Sequence, residues 1–422
     1  MTVADTHRAI LAVWRIEQAR LIAALARMTR DVPLAEELAQ EALVSALEHW
    51  PRTGVPEKPA AWLMATAKRR AIDHLRRDRM LARRHATLAQ ELESEQNEMP
   101  NFDSALDDDI GEDLLRLIFT ACHPLLSSEA RAALTLRMIG GLTTGEIARA
   151  FLTTESTIAQ RIVRAKRALS EAGLGYETPR GAELTRRLGS VLEVIYLIFN
   201  EGYAATAGDD WMRPQLCEEA LRLGRILAGL MPQEAEVHGL VSLMELHASR
   251  AAARTDAAGE PILLLAQNRA LWDRLLISRG LAALARAEGV VGQRGFYTLQ
   301  AAIVACHARA ATAEATDWHR IAALYAELAA LAPSPVVELN RAVAVGMAEG
   351  AAAGLAIVER LAEEPALKRY HLLSSVRGDL LSKLGRHQEA QRAFDHAASL
   401  ATNRRERELM QRRGREAAAA QQ

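Results

Sequence analysis

Aromatic residues are scarce in this chain: six each of Trp, Tyr and Phe make up 4% of 422 residues, although half the sequence is hydrophobic. Its core must therefore be built largely from Ala and Leu. Continuous β-branched runs are scarce as well, so the expected class is all-α. Cysteine is nearly absent. Cys122, Cys217 and Cys306 lie far apart and form no CxxC pair, which excludes a disulfide scaffold and a zinc ribbon. Cys122 and His123 are adjacent, but two neighbours cannot complete a four-ligand shell, so no metal or other cofactor is expected. The most apolar stretch, Val191 to Phe199, is interrupted by Glu193 and is too short to span a bilayer. No secretory leader is visible at the N terminus, so a cytoplasmic location without a membrane partner is expected. A net charge of −1 excludes a uniformly basic nucleic-acid binder. There is no P-loop, GxSxG elbow or HExxH motif, and no enzymatic activity is expected.

What charge there is stands in blocks. From Thr66 to His85 there are eight Arg/Lys and two Asp; from Glu91 to Asp113 there are ten Asp/Glu and no basic residue. Such blocks mark surfaces or linkers with electrostatic partners. The most informative stretch follows them. Thr143 is placed to cap a short helix with Glu146 at the reciprocal position of a capping box, and Ile147, Ala148 and Phe151 supply its buried face. After a short break Thr154 is placed to cap a second helix. There Ile158, Ile162, Ala165 and Leu169 recur as one apolar stripe, and Ser156, Gln160, Arg164 and Arg167 fall on the opposite side. This is the layout of a helix-turn-helix whose second helix enters the DNA major groove. Gln pairs with adenine and Arg with guanine, while further Arg and Lys suit phosphates. The alternative is an amphipathic hairpin with a solvated basic face. Leu152 stands where such turns usually carry a Gly able to adopt positive φ.

The chain is long enough for several domains. Helices alternate with short breaks from about His7 to Arg84. An acidic linker follows, then a second helical unit from about Leu114 to Gly173, with Gly173, Gly175 and Thr178-Pro179 marking the next boundary. The expected divisions are 1–86, a linker at 87–113, 114–174, and a long Ala/Leu-rich region at 180–422. Near its end, Gly378, Leu381, Gly385, Ala390, Phe394 and Ala397 match the spacing of a tetratricopeptide repeat (TPR). Gly350 lies 35 residues before Gly385, close to the 34-residue TPR period. TPR-like helical hairpins and a generic helical bundle both remain open for the region before it. Asn200-Glu201-Gly202-Tyr203 reads as a helix end at Gly202, with a polar ligand site as the other reading.

In the first unit, Ala35 to Trp50 reads as a helix in which Leu43, Leu47 and Trp50 suit a core. Glu37, Glu41, Val44 and Glu48 share another side, with Gln40 beside them. Carboxylates around one exposed aliphatic suit a basic helical partner, or are simply a solvated face. Lys58 to Arg77 reads as a helix anchored by Trp62 and strongly basic toward its end, a natural phosphate-binding element.

Together these segments resemble an extracytoplasmic-function (ECF) sigma factor of bacterial RNA polymerase. Ala-Glu-Glu-Leu-Ala-Gln-Glu at 35–41 is similar to sigma region 2.2. The Trp-Leu helix ending in Ala-Ile-Asp-His-Leu-Arg-Arg at 71–77 is similar to regions 2.3 and 2.4, and the helix-turn-helix to region 4.2. Their order and the acidic linker match as well.

The resemblance implies a non-catalytic subunit that binds core polymerase, recognises the −10 and −35 promoter elements and helps open DNA. It implies that Glu37, Gln40, Glu41, Val44 and Glu48 bind the clamp helices of the polymerase β′ subunit. Trp62, Lys68, Arg69, Arg70, Arg76 and Arg77 would serve the −10 element and melting. Thr154, Ser156, Thr157, Gln160, Arg161, Arg164 and Arg167 would read the −35 element. Thr66-Ala67-Lys68-Arg69 departs from the family pattern, which often has Asn at the last position. The region after 180 resembles the long TPR-like extension of one sigma subgroup, which implies regulation within the polypeptide or a separate protein partner. The competing reading is a helix-turn-helix regulator that senses a signal through its C-terminal part; it would have no need of the segments before residue 86.

Overall fold

The computed structural model describes residues 3–87, 110–151, 153–172, 178–203, 212–256, 260–290, 292 and 294–420. Among the described residues the fold is helical, with one isolated bridge between Thr255 and Pro261 in place of any sheet. The chain divides into two compact units, Met1–Val194 and Ile195–Gln422.

The first unit opens with three long helices, α1 (Val3–Thr29), α2 (Val32–Thr53) and α3 (Pro59–Thr87). Asp31 caps α2 by accepting a hydrogen bond from the Leu34 amide at 2.9 Å, and Gly54 ends it at φ +87°, a conformation that costs glycine nothing. Ala39, Ala42 and Ala46 of α2 and Ala67 and Ala71 of α3 are fully buried. These small side chains let the helices approach closely around Leu21, Leu25, Leu63 and Trp50, all likewise buried. Leu43 and Leu47, expected in this core, are only half-buried, because the buried stripe of α2 runs through Leu38, Ala42, Ala46 and Trp50 instead.

Four shorter helices follow: α4 (Ile110–Ala121), α5 (Ser128–Met138), α6 (Thr144–Ala150) and α7 (Glu155–Glu171). The expected linker reached Asp113, yet Ile110 to Asp113 already form the first turn of α4. Asp113 is 1% exposed and pairs with Arg27 of α1 at 3.3 Å and with Arg116 at 3.1 Å. Acidic residues in a first helical turn are favoured by the helix dipole, which is why an acidic run can continue into a helix. The rest of the acidic segment, residues 88–109, lies outside the described residues, as does Leu152. The helix α8 (Gly181–Tyr203) begins in this unit, where Arg187 bonds to the Phe119 carbonyl at 2.7 Å and Ser190 to the Cys122 carbonyl at 2.7 Å.

In the second unit come α9 (Pro214–Leu230), α10 (Ala235–Ala248), α11 (Arg274–Gly289), α12 (Phe296–Arg309), α13 (Trp318–Leu331), α14 (Pro335–Ala348), α15 (Ala351–Leu361), α16 (His371–Lys383), α17 (His387–Leu400) and α18 (Arg404–Ala419). From α12 onward each helix packs on the next in the chain. The expected pairing at the end is present. Gly378 of α16 faces the Phe394 ring of α17 so closely that a β-carbon would lie 2.8 Å from it, and Gly385 makes the turn between them at φ +73°. Gly202 is the penultimate residue of α8, where a β-carbon would meet the Cys217 backbone nitrogen at 2.7 Å, so the glycine at this helix end also serves the approach of α9.

Candidate nucleic-acid interface

The helix-turn-helix forms as its capping residues require. The Thr143 hydroxyl accepts from the Glu146 amide at 3.1 Å, and the Glu146 carboxylate accepts from the Thr143 amide at 2.7 Å. Partial burial pushes the Glu146 pKa up, but these bonds outweigh it and hold the carboxyl below its usual range. Thr154 caps α7, accepting from the Thr157 amide at 3.2 Å. Ile158, Ile162, Ala165 and Leu169 are buried. Thr154, Ser156, Thr157, Gln160, Arg164 and Arg167 are exposed, and Arg161 is half-exposed on the flank. Gln160 accepts a hydrogen bond from Arg164 at 3.1 Å, which aligns an amide and a guanidinium side by side on the outer face. Arg167 pairs with Glu171 at 2.6 Å. Sequence reasoning passed over Val163. It lies on this same face and is 63% exposed, an aliphatic among polar groups.

On α3 the expected residues separate into two groups. Arg69, Arg76 and Arg77 are exposed, and Lys68 is half-buried. Arg70 is turned toward α2, with its guanidinium on Glu41 at 2.5 Å and on the Ser45 hydroxyl at 2.6 Å. Trp62 is half-buried, its ring edge-on to Trp50 at 5.4 Å and tilted against His49 at 6.4 Å.

The acidic face of α2 is likewise divided. Glu37, Val44 and Glu48 are exposed, with Val44 at 51%. Glu41 is engaged by Arg70, and Gln40 donates to Glu36 at 2.9 Å. Glu36 itself was missed by sequence reasoning. It is 3% exposed, accepts from Arg137 of α5 at 3.2 Å and forms an ion pair with Lys166 of α7. A carboxylate so deeply buried has to be paired, and its partners come from elements far along the chain.

Among the described residues no group of His, Cys, Asp or Glu is arranged to hold a metal ion, and no helix is long and apolar enough to cross a membrane. Burial raises the Cys122 thiol pKa to about 11, so it stays protonated against its hydrogen-bond partner Thr135.

Comparison with known proteins agrees with this arrangement. Sigma-70 region 2 matches residues 14–80 and sigma-70 region 4 matches residues 116–169. A family of unknown function (DUF6596) matches residues 187–288. The ECF RNA polymerase sigma factor SigL of Mycobacterium tuberculosis is 31% identical over 166 residues, which is 39% of this chain and 83% of that protein. An uncharacterized protein of Rhizobium meliloti is 46% identical over 382 residues, covering 90% of this chain and 89% of its own length. No solved structure matches. The chain belongs to the ECF sigma factors of RNA polymerase. Such a protein is a transcription initiation factor and not an enzyme, and its partners are core RNA polymerase and promoter DNA.

Proposed function

We propose that the three surfaces divide the work of initiation along the chain. The Glu37, Val44 and Glu48 face of α2, flanked by Gln40 and Glu41, docks on the clamp helices of the β′ subunit. Trp62, Lys68, Arg69, Arg76 and Arg77 of α3 engage the −10 element and its phosphates, and the Arg70–Glu41 bridge fixes the docking helix against the melting helix. Flipping a base from the stack costs a few kcal/mol, which phosphate contacts from this basic face offset. Helix α7 reads the −35 element through Ser156, Gln160 and Arg164, with Thr154, Thr157, Arg161 and Arg167 on phosphates. The working divisions are then 1–87, a linker at 88–109, 110–174 and 180–422.

The observation that carries this reading is the outer face of α7. It exposes Gln160, Val163 and Arg164 side by side while the opposite stripe is buried. The C-terminal region acts as a TPR-like regulatory extension in the cytoplasm, by engaging another protein or the rest of the chain. The packed hairpin of α16 and α17 supports the repeat character.

Binding assays separate the roles. Glu48→Lys together with Glu37→Lys weakens core-polymerase binding at least tenfold and leaves binding to promoter duplex unchanged. Gln160→Ala alters promoter choice and leaves core binding unchanged. If both sets of variants behaved as wild type in both assays, the division of labour would be wrong.

A further inference from the structure

Away from the three outer surfaces, the first unit holds a cavity lined by cations that the chain satisfies only in part. Its volume is about 480 Å3, within the range of small-molecule sites, and it lies between the corner joining α4 to α5 and the first half of α8. Arg131 of α5 lines it, with Arg186 and Arg187 of α8 and His123 at the corner. Arg131 is 8% exposed. It donates to the Ser128 hydroxyl at 3.1 Å and to the Ser190 hydroxyl, and it pairs with Glu193 at 3.2 Å. Its Nε is buried without a hydrogen-bond partner. Arg187 donates to the Phe119 carbonyl at 2.7 Å and stands 3.7 Å from Glu183, and its Nε is buried and unpartnered as well. Burying guanidinium groups whose donors are not all met is costly unless a ligand completes them.

The two carboxylates do not cancel this charge. The side chains of Glu183 and Glu193 are 52% and 56% exposed, against 11% and 10% for the arginines they pair with. Solvent screens the outer acids more strongly than the inner guanidinium groups. Burial lowers the Arg187 pKa, Glu183 opposes that shift, and the like charge of Arg186 adds to it. His123 contributes a neutral donor. Burial, reinforced by Arg187 and opposed by Glu183, lowers its pKa, so the ring is uncharged at neutral pH. Its Nδ1 accepts from the Leu125 amide at 3.1 Å, which leaves the ring proton on Nε2.

We propose that this cavity binds a phosphate group, either as the free ion or as part of a small phosphate ester. Guanidinium groups on two helices suit the tetrahedral oxygens of phosphate, whereas a planar carboxylate is served by a single guanidinium fork. The volume leaves room beside the phosphate for the rest of an ester. The bound anion bridges α5 and α8, and so holds the start of the region after residue 180 on the helices that precede α7. The site stands whichever partners the outer surfaces take.

The test titrates the full chain calorimetrically with inorganic phosphate, ribose 5-phosphate and malonate at constant ionic strength. Saturable binding of the phosphate compounds is expected. Arg186→Gln combined with Arg187→Gln weakens it at least tenfold, while Arg279→Gln, at an exposed arginine of α11, leaves it unchanged. Amide exchange in the first half of α8 slows with the ligand in wild type and not in the double variant. Tighter binding of the ester assigns the ester as occupant, and equal affinity assigns the free ion. If the double variant fails to fold, Arg186→Gln alone, at an exposed position, weakens binding at least threefold. The proposal is overturned by the absence of saturable binding of either phosphate compound, by affinity that the folded variants retain, or by malonate bound as tightly as phosphate. Exchange that slows only outside α4, α5 and α8 overturns it too.

Discussion

In the first unit Arg69, Arg76 and Arg77 of α3 and Arg164 and Arg167 of α7 are exposed, whereas in the second unit Arg250 and Arg269 are buried among aromatic rings and backbone carbonyls. Arg250 donates to the Tyr203 hydroxyl at 2.7 Å and meets the His247 Nδ1 at 2.8 Å. Arg269 donates to the carbonyls of His307 and Ala310 at 2.6 and 2.7 Å and stacks over Trp272 at 4.9 Å. These cations of the first unit lie at the surface; those of the second lock its own interior. The first unit should therefore tolerate surface changes that abolish function, and the second should show the reverse.

The largest expected effect is in the second unit. A β-carbon at Gly354 would lie 2.6 Å from the Ala342 carbonyl and 2.8 Å from the Gly346 α-carbon, and backbone atoms cannot swing aside. Gly354→Val is expected to cost about 3 kcal/mol of stability, read by denaturant unfolding. Duplex binding by α7 should be retained wherever the protein remains folded.

Acid should also act on that unit. Burial, reinforced by Arg250 and Arg269, lowers the His307 pKa from 6.5 to about 4. The neutral imidazole's contribution is complete above pH 6.5 and is lost as pH falls through the window down to about 4. The loss is on the order of 3 kcal/mol. His307→Gln should flatten the pH dependence of unfolding in that window, and an unchanged slope would show that the titration lies elsewhere.

In the first unit the reverse signature is expected. Arg164→Ala removes an exposed side chain whose protein hydrogen bond is to Gln160. It should weaken binding to the preferred −35 duplex by about 1–3 kcal/mol, with no change in the unfolding midpoint. Thr143→Ala should cost only about 1 kcal/mol of stability by removing the cap of α6. Because the Glu146 pKa is depressed, the box's stability is present at neutral pH and fades as pH falls through the lowered carboxyl pKa.

The helix-turn-helix was legible in the sequence because its signals are local. Caps at Thr143 and Thr154 and a stripe at 158, 162, 165 and 169 specify two helices and a face without reference to the rest of the chain. The exposed side of α2 at Glu37, Val44 and Glu48 was legible for the same reason. What was not legible depends on distant partners. Glu36 reads as one more carboxylate of an acidic helix until Arg137, 101 residues away, meets it. Gly202 reads as no more than a helix end until α9 arrives against it, and Asp113 reads as part of an acidic linker until Arg27 of α1 pairs with it. Arg70, grouped with the DNA-binding cations of α3, instead meets Glu41 of the docking face, because the two helices pack side by side.

In the proposed division of labour this chain directs polymerase to promoters through α7. Its most direct test is transcription from a genomic promoter library by core RNA polymerase with and without the full-length protein, with start sites mapped by sequencing. A discrete set of start sites is expected that appears only with the protein, shares a −35 sequence, and loses that shared sequence with Gln160→Ala. Start sites that do not depend on the protein, or that keep the same −35 sequence in the variant, would contradict it.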